Sequence, residues 1–170
     1  MIMSILRKTT TEDIPDVMEI IAQGRAYLEA SGVDQWQNGY PNEAVIKEDI
    51  VNGYGYVLEC EGKVVATVAL SFDGEPFYDE ILNGQWQTNE DFLVIHRMAV
   101  SDDARGTSAA SELLEHAEKL CIERDIYSIK IDTHEHNYAM QRFVQKNEFI
   151  YCGTVILGDE GLRLAFEKVL

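Results

Sequence analysis

The apolar run Phe92 to Val100, interrupted by His96 and Arg97, passes through a short polar loop into Gly106-Thr107-Ser108-Ala109-Ala110, after which the apolar period becomes helical. A buried strand that feeds directly into a helix start limits the architectures open to the chain. At such a start the first N–H groups have no intrahelical partner and the helix dipole is positive. Main-chain donors there hold a diphosphate when the local side chains are small. Arg105 adds a permanent cation at the loop. Tight helix packing produces the same run of small residues, so the segment alone leaves an anion site and a packing contact both open.

The flanking sequence alternates strand and helix periods. A short strand begins near Met3 and Ile5, and Thr10 with Asp13 three positions later has the spacing of a capping box. Ile14, Val17, Met18, Ile21 and Leu28 then follow a helical stripe that Ser31-Gly32 stops. Asp34 to Pro41 has turn chemistry, and Asn42 caps a second helix through Val51 that ends at Asn52-Gly53. Tyr54 to Cys60 and Lys63 to Phe72, joined by Glu61-Gly62, predict a hairpin. Residues 73–91 predict a long loop. Beyond Val100 come a helix over Ser108 to Arg124, a strand over Tyr127 to Thr133 and a short helix over Asn137 to Lys146. Phe149 to Leu157 and Leu162 to Val169 are the closing strands. The order β-α-α-β-β-β-α-β-α-β-β predicts an α/β fold of the α+β kind, a mixed sheet packed by helices on both faces, in one domain over residues 1–170.

Composition narrows the partners. With 170 residues and 46% hydrophobic content the chain buries a core without disulfides, and its three cysteines, Cys60, Cys121 and Cys152, are widely spaced with no metal-ligand pattern. Structural thiols in a reducing compartment and no bound metal are expected. Met1 to Leu6 run at once into Arg7 and Lys8 without a secretory or membrane-length apolar stretch, so a cytoplasmic protein without membrane attachment is expected. Thirty acidic against 14 basic residues set a net charge of −16. That field repels nucleic acid and favours cationic partners, although acidity also serves solubility alone.

From Met98 to Ala110 the sequence resembles the GNAT acetyltransferase superfamily. Its acetyl-CoA signature leads from a strand ending in Val, through polar residues, to Arg/Gln-x-x-Gly-x-Gly/Ala. Here the signature reads Arg105-Gly106-Thr107-Ser108-Ala109-Ala110, with Ser108 in place of the first signature glycine. A second block, Asn-x-x-Ala-x-x-Leu-Tyr-x-Lys-x-Gly-Phe, is matched at Asn137, Lys146 and Phe149; Val144 stands where the family often has Tyr and Glu148 where it usually has Gly.

The resemblance implies a mostly antiparallel sheet whose two parallel strands, Phe92 to Val100 and Tyr127 to Thr133, splay apart to admit the pantetheine arm of acetyl-CoA. It further implies that Met98, Ala99 and Val100 bind that arm through their backbone, with an N–H near Ala99 facing the developing oxyanion. Arg105 to Ala110 would hold the diphosphate, and Asn137 would touch the cofactor. The acceptor is a small-molecule or peptide amine that arrives protonated, with a pKa near ~10.4 for an alkyl amine. Asp91, His96, His134, Glu135 and His136 are candidate bases, His134 first, since it follows the strand and titrates near neutrality. Tyr138 and Tyr151 are candidates for the thiolate donor that Val144 replaces. Trp36 and Tyr40 either wall the acceptor or anchor their loop, and Trp86, with Phe77 and Tyr78, has the same two readings. The competing expectation is a non-catalytic acyl-CoA-binding or regulatory module, and a homodimer is compatible with either.

Overall fold

The computed structural model describes Met3–Leu170; the reading of Met1 and Ile2 lies outside the described residues. In chain order the elements are β1 (Ser4–Lys8), α1 (Ile14–Ala30), α2 (Glu43–Asn52), β2 (Gly55–Cys60), β3 (Lys63–Ser71), β4 (Leu93–Val100), α3 (Ala109–Glu123), β5 (Ser128–Thr133), α4 (Tyr138–Lys146), β6 (Ile150–Ile156) and β7 (Leu162–Val169). This is the predicted order. The strands form a mostly antiparallel mixed sheet with one parallel pair, β4 and β5.

Two compact units divide the chain: residues up to Leu70 with His96–Ala117, and Ser71–Ile95 with Glu118–Leu170. In the first, the order is β1, β2, β3, and Val65 of β3 accepts the N–H of Ser101 just past the end of β4. Asn42 caps α2 by accepting the Val45 N–H at 3.0 Å, and Gly53, at φ +75°, ends it in the left-handed conformation that glycine adopts without steric penalty. The β2–β3 turn places Glu61 and Gly62 at φ +51° and +79°, the geometry of a two-residue hairpin. Ile14, Val17, Ile20 and Ile21 of α1 and Ile46 of α2 share one buried cluster with Val57, Val64 and Ala99. On the opposite face Ser4 meets Glu112 and His116 of α3, so helices cover both faces of this part of the sheet. The Thr10–Asp13 capping box is present, as the Asp13 carboxylate accepts the Thr10 N–H at 2.8 Å. Arg7 also clasps that carboxylate and holds its pKa down at about 2, tying β1 to the entry of α1.

In the second unit the strands run β4, β5, β7, β6. Residues 73–91, read from sequence as a plain loop, are tied down throughout. Pro76–Tyr78 form a 3-10 turn, Leu82 bridges to Thr154, and Trp86 donates to the Tyr78 carbonyl at 2.8 Å. Glu167, fully buried, accepts from Gln87 N–H, Thr88 Oγ1 and Ser128 Oγ at 2.7 Å each. The Lys130 ammonium lies over the rings of Trp86 and Phe92, at 4.3 and 4.0 Å, and burial lowers its pKa. Where that segment crosses β6, a Cβ on Gly84 would lie 1.9 Å from the Cys152 carbonyl oxygen, and one on Gly153 2.6 Å from that of Leu82.

Candidate functional site

In the first unit the site is built from the end of β4 and the start of α3. Ser101 N–H bonds to the Val65 carbonyl at 2.9 Å, and the Ser101 carbonyl then accepts from Ala104 and Arg105, which closes a 3-10 turn. Gly106 follows at φ +82°, exposed, with nothing within 4 Å of a would-be Cβ. Thr107 caps the helix: its hydroxyl accepts the Ala109 N–H at 3.2 Å and donates to the Ala104 carbonyl at 2.5 Å. The Ser108 hydroxyl donates to Glu112 at 2.7 Å, turning forward along the helix. The departure from the family glycine is thus accommodated by a partner four residues on. Arg105 is paired with Asp102 at 2.5 Å and stacked 4.2 Å over Tyr27, so its charge is already partly compensated. Ser101 Oγ is buried and has no hydrogen-bond partner.

The centre of β4 contains a feature absent from the sequence reading. Arg97 has φ +52° within a strand, and its guanidinium makes two bonds to Asp49 of α2, at 2.8 and 2.6 Å, and a third to the Tyr40 hydroxyl at 2.9 Å. Both charged side chains are largely buried. An arginine inside an apolar strand was the one available signal; its partner lies 48 positions away. Arg25 donates to the Trp36 and Pro41 carbonyls at 2.9 Å each and so frames the Trp36–Tyr40 loop. Trp36 packs against the buried cluster that contains Ala99, which is the anchoring role, whereas Tyr40 is held by its hydroxyl. His96, Met98 and Val100 are half-buried and Ala99 is buried.

In the second unit, among the described residues, β4 and β5 pair in parallel at Leu93 with Ile129 and Val94 with Lys130. β5 runs on through Ile131, Asp132 and Thr133, paired throughout on its other edge with β7. Lys130 and Asp132 face one side of the sheet, and Ile129, Ile131 and Thr133 the other. Tyr78, itself buried, donates to Asp132 at 2.5 Å. The fully buried hydroxyl of Thr133 has no partner.

Past the strand end, the His136 N–H donates to His134 Nδ1 at 3.0 Å, and the His134 carbonyl accepts from Asn137. The Asn137 side-chain oxygen caps α4 by accepting the Met140 N–H at 3.1 Å. Tyr138 is 60% exposed and Val144 fully buried, so the family's tyrosine position is filled by core. Glu148 has φ +70°, a left-handed position that accounts for the glycine usual there in the family. Asp91 precedes β4 and so lies at the opposite end of the parallel pair from His134. It lines a cavity of about 450 Å³ with Glu90, Asp125 and Tyr127, which removes it from the group of candidate bases near the strand ends. Among the described residues no cluster of His, Cys, Asp and Glu has the form of a metal site, and no helix is long and apolar enough to cross a membrane.

Residues 21–149 match the family model described as Acetyltransferase (GNAT) family. A GNAT-family acetyltransferase structure from Streptococcus agalactiae 2603 is 32% identical with a TM-score of 0.88, covering 98% of this chain and 95% of that one. A GNAT-family acetyltransferase from Listeria monocytogenes 4b F2365 shares the fold at 20% identity, TM-score 0.75, with 98% and 95% coverage. The PaiA N-acetyltransferase of Thermoplasma acidophilum, solved in complex with coenzyme A, shares it at 14% identity, TM-score 0.75, with 99% coverage of both chains. Among curated proteins nothing matches the sequence.

Proposed function

The chain belongs to the acetyltransferase (GNAT) family, and from that premise we propose that it moves the acetyl group of acetyl-CoA to a primary amine of a small-molecule or peptide acceptor, with cationic acceptors favoured. Acetyl-CoA-dependent N-acetyl transfer, an acyltransferase reaction, is the activity of the family. The observation that carries the cofactor assignment is the conjunction at the end of β4: an orphaned buried hydroxyl at Ser101, an open left-handed Gly106, and the small first turn of α3. These residues fit a diphosphate-bearing group. Gly106 to Ala110 hold it by main-chain donors, and Arg105 acts at the rim. Met98, Ala99 and Val100 present backbone groups to the extended arm, and Asn137 fixes the start of α4 beside β5. When bound, acetyl-CoA supplies an acyl group activated as a thioester.

The acceptor must lose a proton before it attacks, because an alkyl amine has a pKa near ~10.4. His134 is the proposed proton acceptor. Its Nδ1 already receives the His136 N–H, so the neutral ring carries its proton on Nε2 and must surrender that 3.0 Å bond to accept another. This observation favours a second reading in which Asp132, held by Tyr78, takes the proton without a tautomer change. Comparing His134→Ala with Asp132→Asn over pH 6–9 decides between them. Loss of the base lowers kcat/KM about 10²–10⁴-fold with an alkyl amine and far less with a low-pKa hydrazine. Equal losses on both substrates in both variants would exclude either as base. His96 and Tyr138 are secondary candidates for moving protons. Tyr40 is proposed to border the acceptor, with Trp36 anchoring that loop on the core, and the net charge of −16 supports a cationic acceptor. The free thiols Cys60, Cys121 and Cys152 support a cytoplasmic setting, with burial pushing Cys121 up to about 12.

The test of the activity is a thermal-shift titration with CoA followed by an amine panel read as free thiol. A shift together with amine-dependent thiol release is expected. A shift without release from any amine would favour a binding module, and no shift at millimolar CoA would remove the assignment.

A further inference from the structure

Arg97 departs in two ways from what a residue inside an apolar strand normally does. Its φ of +52° is a left-handed conformation that is unfavourable for a residue with a side chain, and its guanidinium is largely buried against Asp49 of α2. Neither feature is needed for stability. A buried ion pair commonly does no better than apolar residues of the same volume, and backbone strain persists only where its surroundings enforce it, most often at functional sites. What else the guanidinium holds is therefore informative. Nε and Nη2 donate to the Asp49 carboxylate at 2.8 and 2.6 Å, while Nη1 donates to the Tyr40 hydroxyl at 2.9 Å. One planar group thus joins α2, the centre of β4 and the loop between α1 and α2, all within the first unit.

The backbone of that loop has anchors of its own. Arg25 donates to the Trp36 and Pro41 carbonyls, on either side of Tyr40, and the Trp36 ring lies 3.3 Å from where a Cβ on Gly24 would stand. What Arg97 adds is a fixed direction for the Tyr40 side chain. Arg97 directly precedes Met98, so the Tyr40 hydroxyl is held within one arginine side chain of the β4 segment proposed to receive the cofactor.

We propose that Arg97 is a positioning residue for the acceptor amine: it sets the Tyr40 ring as a wall of the acceptor site, and Asp49 neutralises the guanidinium so that a cationic amine is not repelled there. The inference rests on the reading of Tyr40 as a border of the acceptor and deepens it.

The test uses the full chain with Tyr40→Phe, with the pair Asp49→Leu and Arg97→Met, and with all three changes together. Melting temperature, calorimetric CoA affinity, kcat and KM are measured for each. The acceptor is the fastest among an alkyl diamine, a triamine, an amino-acid amide and an N-terminally free tetrapeptide. Tyr40→Phe keeps the ring and removes only the oxygen that Arg97 holds. It is expected to melt within about 4 °C of the parent, to bind CoA as the parent does, and to raise the amine KM about tenfold with kcat little changed. A merely structural role would lower stability without this split. The pair raises KM by the same factor and the triple variant raises it no further, because both changes break one contact. Parental KM in Tyr40→Phe overturns the proposal, and that variant decides by itself if the pair does not fold. A triple variant in which the two KM increases multiply overturns it too, since Arg97 and Tyr40 would then act separately. Loss of CoA affinity in step with the rise in amine KM assigns the clamp to the strand and overturns its role toward the acceptor. A parent that releases no thiol with any of the four amines overturns the acetyl-transfer reading itself, a different failure.

Discussion

In an Ala110→Glu variant, CoA is expected to bind at least a hundredfold more weakly while the ligand-free protein melts close to the parental temperature. Ala110 is half-buried in the first turn of α3, one residue beyond buried Ala109 and two beyond the exposed run Gly106 to Ser108. Thr107 already satisfies the Ala109 N–H, which leaves the following first-turn donors for an anion. A carboxylate introduced here competes for those donors and repels a diphosphate. At about 4 Å and an effective dielectric near 20 the repulsion between unit charges is ~4 kcal/mol, or roughly a thousandfold in affinity. The fold tolerates the change because glutamate is a good helix former and an acidic residue near a helix N-terminus is electrostatically favourable. Calorimetric titration with CoA reads the effect. Parental affinity in a folded variant would move the diphosphate to another part of the protein. Arg105→Ala is milder on the same argument, since the Asp102 and Tyr27 contacts already absorb part of that charge.

The second large effect is on stability. Asp49→Ala leaves the Arg97 guanidinium largely buried and without its bidentate partner, and arginine cannot relieve the penalty by deprotonating. Removing one member of a buried pair costs about 3–5 kcal/mol. For a chain of this length that lowers the melting temperature by roughly 10 °C. Asp49→Asn retains acceptor geometry without charge and falls between. The double replacement Asp49→Leu with Arg97→Met recovers most of the stability, because apolar residues of similar volume commonly replace buried ion pairs without loss. It does not restore the bond to Tyr40, so its amine KM remains raised if that loop borders the acceptor. Urea unfolding of the three variants checks the order. An Asp49→Ala protein within about 1 kcal/mol of the parent would show that Arg97 reaches water once released.

Local chemistry made much of the fold legible before any coordinates. The Asn42 cap, the Gly53 stop and the Glu61-Gly62 turn each rest on a residue's own backbone preference, and all three stand as read. The strand-to-helix segment was legible for the same reason. Long-range partners were not. Residues 73–91 read as a loop because their anchors, Asp132, Thr154 and Glu167, lie some 54 to 80 positions away. Periodicity assigns Glu167 to a strand but cannot reveal that its carboxylate is enclosed by Thr88, Gln87 and Ser128. The same holds for Arg97, visible as an interruption, whose meaning depends on Asp49. Asp91 precedes β4 while His134 follows β5, so the parallel course of the two strands itself sets them at opposite ends. Thr133 gave no signal, since an orphaned hydroxyl is a property of burial and not of residue type.

The crossing of Gly84 and Gly153 bears on how sequences like this one can diverge. With one carbonyl oxygen 1.9 Å from a would-be Cβ and the other 2.6 Å, and with Gly153 at φ +149°, neither position admits a side chain without moving backbone. The two are linked in inheritance: a lineage that changes one must re-route the segment over β6, and then the other is released as well. A homologue lacking both glycines will have a differently laid connection. Its sheet face beneath Tyr78 and Trp86 will differ too.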